Sequence, residues 1–181
     1  MKTLFATLLV GAAALSQATV IDTYPDWDGN ITNGWQYVAQ SFTAPSDNVL
    51  LNWTFGTNSQ PNLGFSIFAW DPNSGPSSGA LFQTTVNAGG GGDFTVSNIN
   101  LALTTGNVYA VVYETDLNQS IHFQTNNTSY TGGCASWNNG SWNFLNSGWN
   151  TQFRAEFGTV PEPGTLAALA LGALILVRRR R

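Results

Sequence analysis

The sequence predicts an all-β protein in which one β-sandwich, jelly-roll-like in topology, lies between two terminal targeting segments. Three observations predict this class. No stretch between residues 19 and 159 keeps the 3.6-residue period of an amphipathic helix. Several stretches instead alternate apolar and polar side chains, and turn-forming residues separate them at short intervals. About eight short strands at such spacing are typical of a sandwich.

The predicted strands follow one another from residue 35 to residue 158. In the last strand Phe153, Ala155 and Phe157 alternate with polar neighbours, which predicts one buried face. Residues 108–113 are apolar on both faces and predict a central strand, and residues 63–70 alternate with a second face that Phe68 and Trp70 make apolar. The remaining predicted strands are 35–43, 48–55, 80–86, 93–99 and 120–124.

The composition limits the partners that this domain can bind. Charged residues make up only 9% of the 181-residue chain, against about 25% in typical soluble proteins. Between residues 19 and 159, Arg154 is the only basic residue against nine acidic ones, a formal charge of −8. Such a surface repels a phosphate backbone, which argues against nucleic acid as a partner. One Cys and one His exclude an internal disulfide and a Cys-based or two-His zinc site.

Residues 1–18, MKTLFATLLVGAAALSQA, have the three parts of a secretory signal peptide. Lys2 supplies the positive charge, residues 4–15 are almost entirely apolar, and Ser16 and Ala18 are small residues at the spacing that signal peptidase accepts. A buried N-terminal helix is the alternative. The signal-peptide interpretation predicts export by the Sec machinery and removal of residues 1–18.

Residues 160–181 predict a short membrane helix at the C terminus. The run 166–177 is apolar but shorter than the roughly 20 residues that span a bilayer comfortably. The chain ends in the cluster Arg178, Arg179, Arg180 and Arg181, which predicts a cytoplasmic C terminus by the positive-inside rule. Pro161 and Pro163 exclude helix there and predict an extended strip above the membrane.

The order of these parts resembles the PEP-CTERM sorting signal of Gram-negative bacteria. The signal begins with Val160, Pro161, Glu162 and Pro163, continues with the apolar helix and ends in the arginine cluster. The resemblance implies that an exosortase, a membrane cysteine transpeptidase, processes the protein near the Pro-Glu-Pro motif. It also implies transient anchoring in the membrane, followed by delivery to the cell surface or to the extracellular polymer matrix.

A second resemblance covers most of residues 35–158. The segments QSFTAP at 40–45, GPSSGAL at 75–81, GNVYAVV at 106–112 and FRAEFG at 153–158, together with Gly132, Gly133 and Trp142, are similar to exported β-sandwich domains that precede surface anchors. This resemblance implies a fold and a location but no catalytic activity. The predicted organisation is a signal peptide at 1–18, a sandwich domain at 19–159 and a sorting signal at 160–181.

Three tryptophans are candidates for a glycan-binding surface. Trp137, Trp142 and Trp149 lie in a stretch rich in Asn, Gly and Ser, which offers aromatic faces for sugar C–H groups and amides for hydroxyls. The alternative is that these rings pack the last hairpin, since Trp is usually mostly buried. The same two interpretations are open for Trp27 and Trp35.

Asp22, Asp26 and Asp28 are candidate ligands for a structural Ca²⁺ ion. The run from Asp26 to Asn30 places oxygen-bearing side chains at alternate positions, as at the start of a Ca²⁺ loop. The run departs from an EF-hand, because its Gly comes too early and its twelfth position is Tyr37. A solvated turn is the alternative interpretation.

Titratable side chains are too sparse to predict an enzyme. Glu114 and Asp116, two residues apart at a strand end, are the candidates for a pair of glycosidase carboxylates. His122 alternates with Ile121 and Phe123, which predicts that it points outward, and Cys134 is expected to be a small, partly buried residue. We therefore expect a non-enzymatic surface or matrix protein, with a carbohydrate-binding module as the alternative and a polysaccharide-active enzyme as a more distant one.

Overall fold

The computed structural model describes residues 18–159 except 33, 59–61, 116–119, 125–129 and 146–147. The predicted signal peptide (but for Ala18), the sorting motif, the arginine cluster and Asp116 lie outside the described residues, so the predictions for them stay predictions at the level of structure. Within the described part of the chain, no helix is long and apolar enough to cross a membrane.

Strands dominate the described residues, with one short 3₁₀ turn at Tyr24–Asp26. The strands are β1 (Val20–Asp22), β2 (Tyr37–Thr43), β3 (Val49–Thr57), β4 (Leu63–Asp71), β5 (Gly75–Pro76), β6 (Phe82–Val86), β7 (Gly92–Val96), β8 (Leu101–Ala102), β9 (Val108–Glu114), β10 (Phe123–Gln124), β11 (Cys134–Asn138), β12 (Ser141–Phe144), β13 (Asn150–Thr151) and β14 (Phe153–Gly158).

These strands form two large sheets in a sandwich-like arrangement, which confirms the predicted all-β class. The five-stranded sheet has the order β1-β14-β3-β7, and β8 also pairs with β3. The seven-stranded sheet has the order β12-β11-β2-β9-β4-β5, and β6 also pairs with β4. A separate ribbon joins β10 to β13. Neighbouring strands run antiparallel in both sheets, as in the pairing of β14 with β3 and that of β9 with β2 and β4.

The core between the two sheets is built largely from aromatic rings. Trp53 of β3 stacks on Phe153 of β14 with ring centroids 4.5 Å apart and planes 2° apart. The Trp53 Nε1 group donates a hydrogen bond of 2.7 Å to the hydroxyl of Tyr113 on β9, and both side chains are fully buried. The alternation predicted for the last strand is confirmed, because Phe153, Ala155 and Phe157 are fully buried.

Strand β9 is central and buried on both sides, as predicted. Val111 and Tyr113 belong to the core between the sheets, whereas Ala110 and Val112 belong to a second apolar cluster. Because successive side chains of a strand point to opposite faces, this second cluster lies on the outer face of the seven-stranded sheet. That outer face carries the candidate functional site.

Candidate functional site

One row of side chains crosses the outer face of the seven-stranded sheet. The strand register pairs Trp142 with Trp137, Trp137 with Tyr37, and Tyr37 with Glu114. Directly paired residues of antiparallel strands present their side chains on the same face. The Tyr37 hydroxyl donates a hydrogen bond of 3.1 Å to Glu114 Oε1. The fold therefore aligns three aromatic rings and a carboxylate on four neighbouring strands.

The next position in this row is a glycine that leaves room for the carboxylate. Gly64 of β4 pairs with Glu114. A Cβ atom at Gly64 would lie 2.9 Å from Glu114 Cβ and 3.2 Å from its Oε2. Any side chain at residue 64 would therefore push Glu114 out of its position beside Tyr37.

Strands β11 and β12 curl back over the outer face. In the pairing order, β12 is four steps from β4, and each step in a flat sheet measures about 4.8 Å. Nevertheless, Trp142 of β12 meets Trp70 of β4 edge-to-face, with ring centroids 5.0 Å apart, and Phe144 meets the same Trp70 at 6.2 Å. The β11–β12 hairpin therefore covers part of the outer face.

Gly75 of β5 permits the close approach of Trp142. Its φ angle is +96°, a left-handed conformation that favours glycine. A Cβ atom at this position would lie 2.5 Å from Trp142 Cδ1 and 2.7 Å from its Nε1. Both the backbone angle and the packing of the indole thus require a residue without a side chain.

Between the curled hairpin and β4–β5 lies a cavity of about 420 Å³, which we call the outer groove. Its size falls within the roughly 300–1,000 Å³ of small-ligand sites. Val112 is almost fully buried in it, and Gln36 is an exposed polar residue beside it. The lining residues are Gln36, Tyr37, Phe68, Pro76, Val112, Trp137 and Trp142.

The structure brings together two of the three candidate tryptophans. Trp137 and Trp142 are half-buried, and their rings meet at 5.4 Å with planes 64° apart in the outer groove. Trp149 instead packs against the core between the sheets, with its ring 5.5 Å from that of Phe123. Trp35 packs against the same core. The glycan-binding prediction therefore narrows to Trp137 and Trp142.

The expectation that His122 points outward is wrong. Only 7% of this residue is exposed, and Trp27 stacks on the imidazole at 4.5 Å. The Nδ1 atom lies 2.8 Å from Gln152 Oε1, and Nε2 lies 2.9 Å from Asn58 Oδ1. The alternation rule fails here because side chains from other segments enclose the imidazole: Trp27 covers its face, and Gln152 and Asn58 hold its two nitrogens.

Two of the candidate calcium ligands accept backbone hydrogen bonds from residues two positions further along the chain. Asp22 accepts a hydrogen bond of 2.9 Å from the backbone N–H of Tyr24, and Asp28 accepts one of 3.2 Å from that of Asn30. The backbone N–H of Asp26 donates to Thr23 within the short 3₁₀ turn. No group of three or more His, Cys, Asp or Glu side chains in the described ranges could hold a metal ion. The calcium site stays a prediction.

A polar cavity of about 440 Å³ lies on the five-stranded sheet, lined by Asp22, Tyr24, Thr54, Arg154 and Glu156. Arg154 Nε lies 3.2 Å from Glu156 Oε1, and its Nη1 lies 4.0 Å from Asp22. Burial and the neighbouring Asp93 carboxylate raise the pKa of Tyr24. The single basic residue of the domain is therefore paired with carboxylates on this sheet, away from the outer groove.

The C-terminal residues match a known sorting signal. The PEP-CTERM protein-sorting motif matches residues 159–181, which confirms the resemblance predicted from the sequence. The chain is thus a protein that carries a PEP-CTERM sorting motif behind an all-β domain. The motif implies export, membrane association and processing by an exosortase. No curated protein matches the chain.

Two solved structures resemble the described fold. The first contains the cysteine protease and lectin-like domains of Cwp84, a surface layer associated protein of Clostridium difficile; the TM-score is 0.51 at 16% identity, over 68% of this chain and 32% of that chain. The second is clostridial cysteine protease Cwp84 after propeptide cleavage, with a TM-score of 0.58 at 15% identity, over 72% of this chain and 38% of that chain. The chain therefore spans less than half of either, and the likeness shows the fold alone.

Proposed function

We propose that this is an exported, non-enzymatic protein of the cell surface or extracellular polysaccharide matrix, sorted and processed by an exosortase. The observation that carries the proposal is the PEP-CTERM motif at residues 159–181. In this proposal, signal peptidase removes residues 1–18. The apolar segment then anchors the chain briefly, with Arg178–Arg181 in the cytoplasm, until cleavage near residues 160–163 releases it.

The chemistry of the described residues supports a non-enzymatic role. A cysteine nucleophile acts as a thiolate, but burial raises the pKa of the Cys134 thiol to about 12. The imidazole of His122 is held between two side-chain amides and covered by Trp27. Glu114 accepts a hydrogen bond from Tyr37, and the second candidate carboxylate, Asp116, lies outside the described residues.

We further infer a jelly-roll topology for the sandwich. Eight strands support it: β1, β14, β3 and β7 form one sheet, and β2, β9, β4 and β6 belong to the other. Along the chain, β1 and β3 lie in the five-stranded sheet, whereas β2 and β4 lie in the seven-stranded sheet, so the chain crosses between the sheets at each connection. Such crossing connections are those of the double-sheet jelly roll, which consists of two Greek keys.

Fractionation of the native host tests the sorting proposal. With a tag inserted in an exposed turn of the domain, wild-type protein should reach the surface fraction in processed form. Replacing Pro161 and Pro163 by Ala should leave unprocessed precursor in the membrane. Pro72→Ala, which changes an exposed turn proline, serves as the matched control and should be processed normally. Mature protein of unchanged mass in the double variant would refute the role of the motif.

The outer groove favours carbohydrate binding as a second function. The single observation is that Trp137 and Trp142 lie in one cavity beside the Tyr37–Glu114 pair. A lectin-like domain is also part of the Cwp84 structure named above, which supports but does not carry the proposal. Glycan binding and exosortase sorting are compatible, because they use different parts of the chain.

A further inference from the structure

We propose that the outer groove binds an uncharged polysaccharide, with Trp137 and Trp142 as its stacking platform and Tyr37, Glu114 and Gln36 as its hydrogen-bonding side. The inference rests on the proposed function, since it names the class of matrix ligand that the carbohydrate-binding site would hold. The proposal excludes acidic polymers as ligands. It makes Glu114 a hydrogen-bonding group of the binding site and not a catalytic carboxylate.

The platform is held in place before any ligand arrives. The Trp142 ring makes edge-to-face contacts with both Trp70 and Trp137, at centroid distances of 5.0 and 5.4 Å. The backbone of Gly75 lies directly against the same indole. Aromatic side chains that are already ordered lose little conformational entropy on binding, so their contact area contributes more fully to affinity.

The groove offers both apolar surface and hydrogen-bonding groups, which match the C–H faces and the hydroxyls of a sugar chain. Phe68, Pro76 and Val112 add apolar surface to that of the two tryptophans in the lining of the groove. Tyr37, which donates a hydrogen bond to Glu114, and the exposed Gln36 supply hydrogen-bonding groups in the same lining. A pyranose ring has C–H faces for the first set and hydroxyls for the second. A wholly apolar ligand would instead desolvate the Tyr37–Glu114 pair without replacing its water contacts.

The charge distribution selects a neutral chain. None of the groove-lining residues is Lys, Arg or His, and Glu114 adds a negative charge to the same cross-strand row. The segment 19–159 carries a formal charge of −8, and its one basic residue, Arg154, is paired with Glu156 on the other sheet. A uronic-acid or sulfated polymer would therefore meet repulsion and no cation.

Affinity electrophoresis of the full-length chain in detergent tests the inference. The gels contain dextran, xyloglucan or hydroxyethyl cellulose as neutral probes, and alginate or polygalacturonate as anionic probes. We expect retardation in at least one neutral gel and in neither anionic gel. Trp137→Ala should weaken binding at least about tenfold, because it removes one face of the platform.

Three further variants separate recognition from folding. Trp27→Ala removes an exposed tryptophan that does not line the groove and should bind as the wild type does. Trp137→Phe keeps a smaller ring and should bind with intermediate affinity even if Trp137→Ala unfolds. Glu114→Gln keeps the shape and an oxygen that can accept from Tyr37, so it should still bind the neutral polymer; the groove gains no cation, so the variant should still not bind alginate. All variants are first compared by thermal melting.

Each contrary outcome overturns the inference in a distinct way. No retardation in any neutral gel, or retardation that Trp137→Ala and Trp137→Phe leave unchanged, would remove the groove as a glycan site. Retardation by alginate that depends on Trp137 would overturn the neutral class. A dimer in sedimentation that Trp137→Ala dissociates would make the groove a self-association surface. Sorting is measured separately in the host, so loss of binding with normal sorting leaves the proposed function intact.

Discussion

Replacing Gly75 by Ala should disturb the outer groove without changing any residue that lines it. Gly75 lies in β5 with φ at +96°, and its missing Cβ would fall 2.5 Å from Trp142 Cδ1 and 3.2 Å from Cγ. Ordinary van der Waals contact begins near 3.4 Å. The indole must therefore move by about 1 Å, or the β5 backbone must give way by a similar amount.

The size of the effect follows from these two costs. A left-handed φ costs a residue with a Cβ about 1–2 kcal/mol, and overpacking of this kind typically adds about 1–3 kcal/mol. The sum is about 2–5 kcal/mol of unfolding free energy, which lowers the Tm of a chain of this size by about 4–20 °C. If the inference about the groove is correct, binding of the neutral polysaccharide should weaken, as it is expected to do in Trp137→Ala.

Gly79→Ala is the matched control for this prediction. Gly79 lies in the same turn region, shows no left-handed φ, and has open space where its Cβ would be. By differential scanning calorimetry and tryptophan fluorescence, Gly79→Ala should have nearly the Tm and emission wavelength of the wild type. Gly75→Ala should have a lower Tm and a longer emission wavelength. Equal melting points and equal emission for the two variants would refute the packing of Trp142 on β5.

Three other variants or conditions test the core and the candidate ion site. Tyr113→Phe leaves the Trp53 indole N–H buried without its acceptor, so urea unfolding should show a loss of about 1–3 kcal/mol; no loss would contradict the hydrogen bond. Burial raises the pKa of Cys134 from 9.0 to about 12. The neutral thiol therefore stabilises the fold fully below pH 9 and loses that contribution as the pH rises toward 12. Cys134→Ala should therefore lose less stability than the wild type as the pH rises above 9. An unchanged pH profile would contradict the raised pKa of the thiol. Melts in Na⁺, Mg²⁺ and Ca²⁺ at matched ionic strength test the calcium prediction: equal midpoints would leave screening as the whole effect of salt and remove the site. A rise with Ca²⁺ only, lost in Asp26→Ala, would establish the calcium site.

Local sequence patterns were sufficient to predict β14, which has one buried face, and β9, which is buried on both. Phe153, Ala155 and Phe157 are buried in β14, and residues 108–113 lie in the central strand β9. These predictions succeed because side-chain period and burial are properties of a single strand. The predicted strand at 120–124 is shorter in the structure, where Phe123–Gln124 pair only with β13.

Strands β11 and β12 were missed because their composition resembles that of a loop. The segment from Trp137 to Asn150 is rich in Asn, Gly and Ser, which are typical turn residues. One signal could have revealed the hairpin. Asn139 and Gly140 both have positive φ, at 54° and 90°, and Asn-Gly between two strands is the strongest two-residue hairpin pattern. That turn pairs Trp137 with Trp142.

The rest of the groove depends on contacts that a sequence pattern does not contain. Tyr37 and Glu114 are 77 residues apart, and their hydrogen bond follows from the register of β2 with β9. The contact of Trp142 with Trp70 depends on the curl of an entire hairpin over the sheet. Glu114 could be singled out as a carboxylate from the sequence, but its aromatic neighbour could not.

The intact mass of the protein recovered from the surface of its native host tests the central claim most directly. Sorting by an exosortase predicts one mature species that begins after residue 18 and ends near residues 160–163. Such a species lacks both the apolar segment and Arg178–Arg181, although the motif at 159–181 is encoded in the chain. Surface protein whose mass shows that it retains its C-terminal arginines would contradict the account.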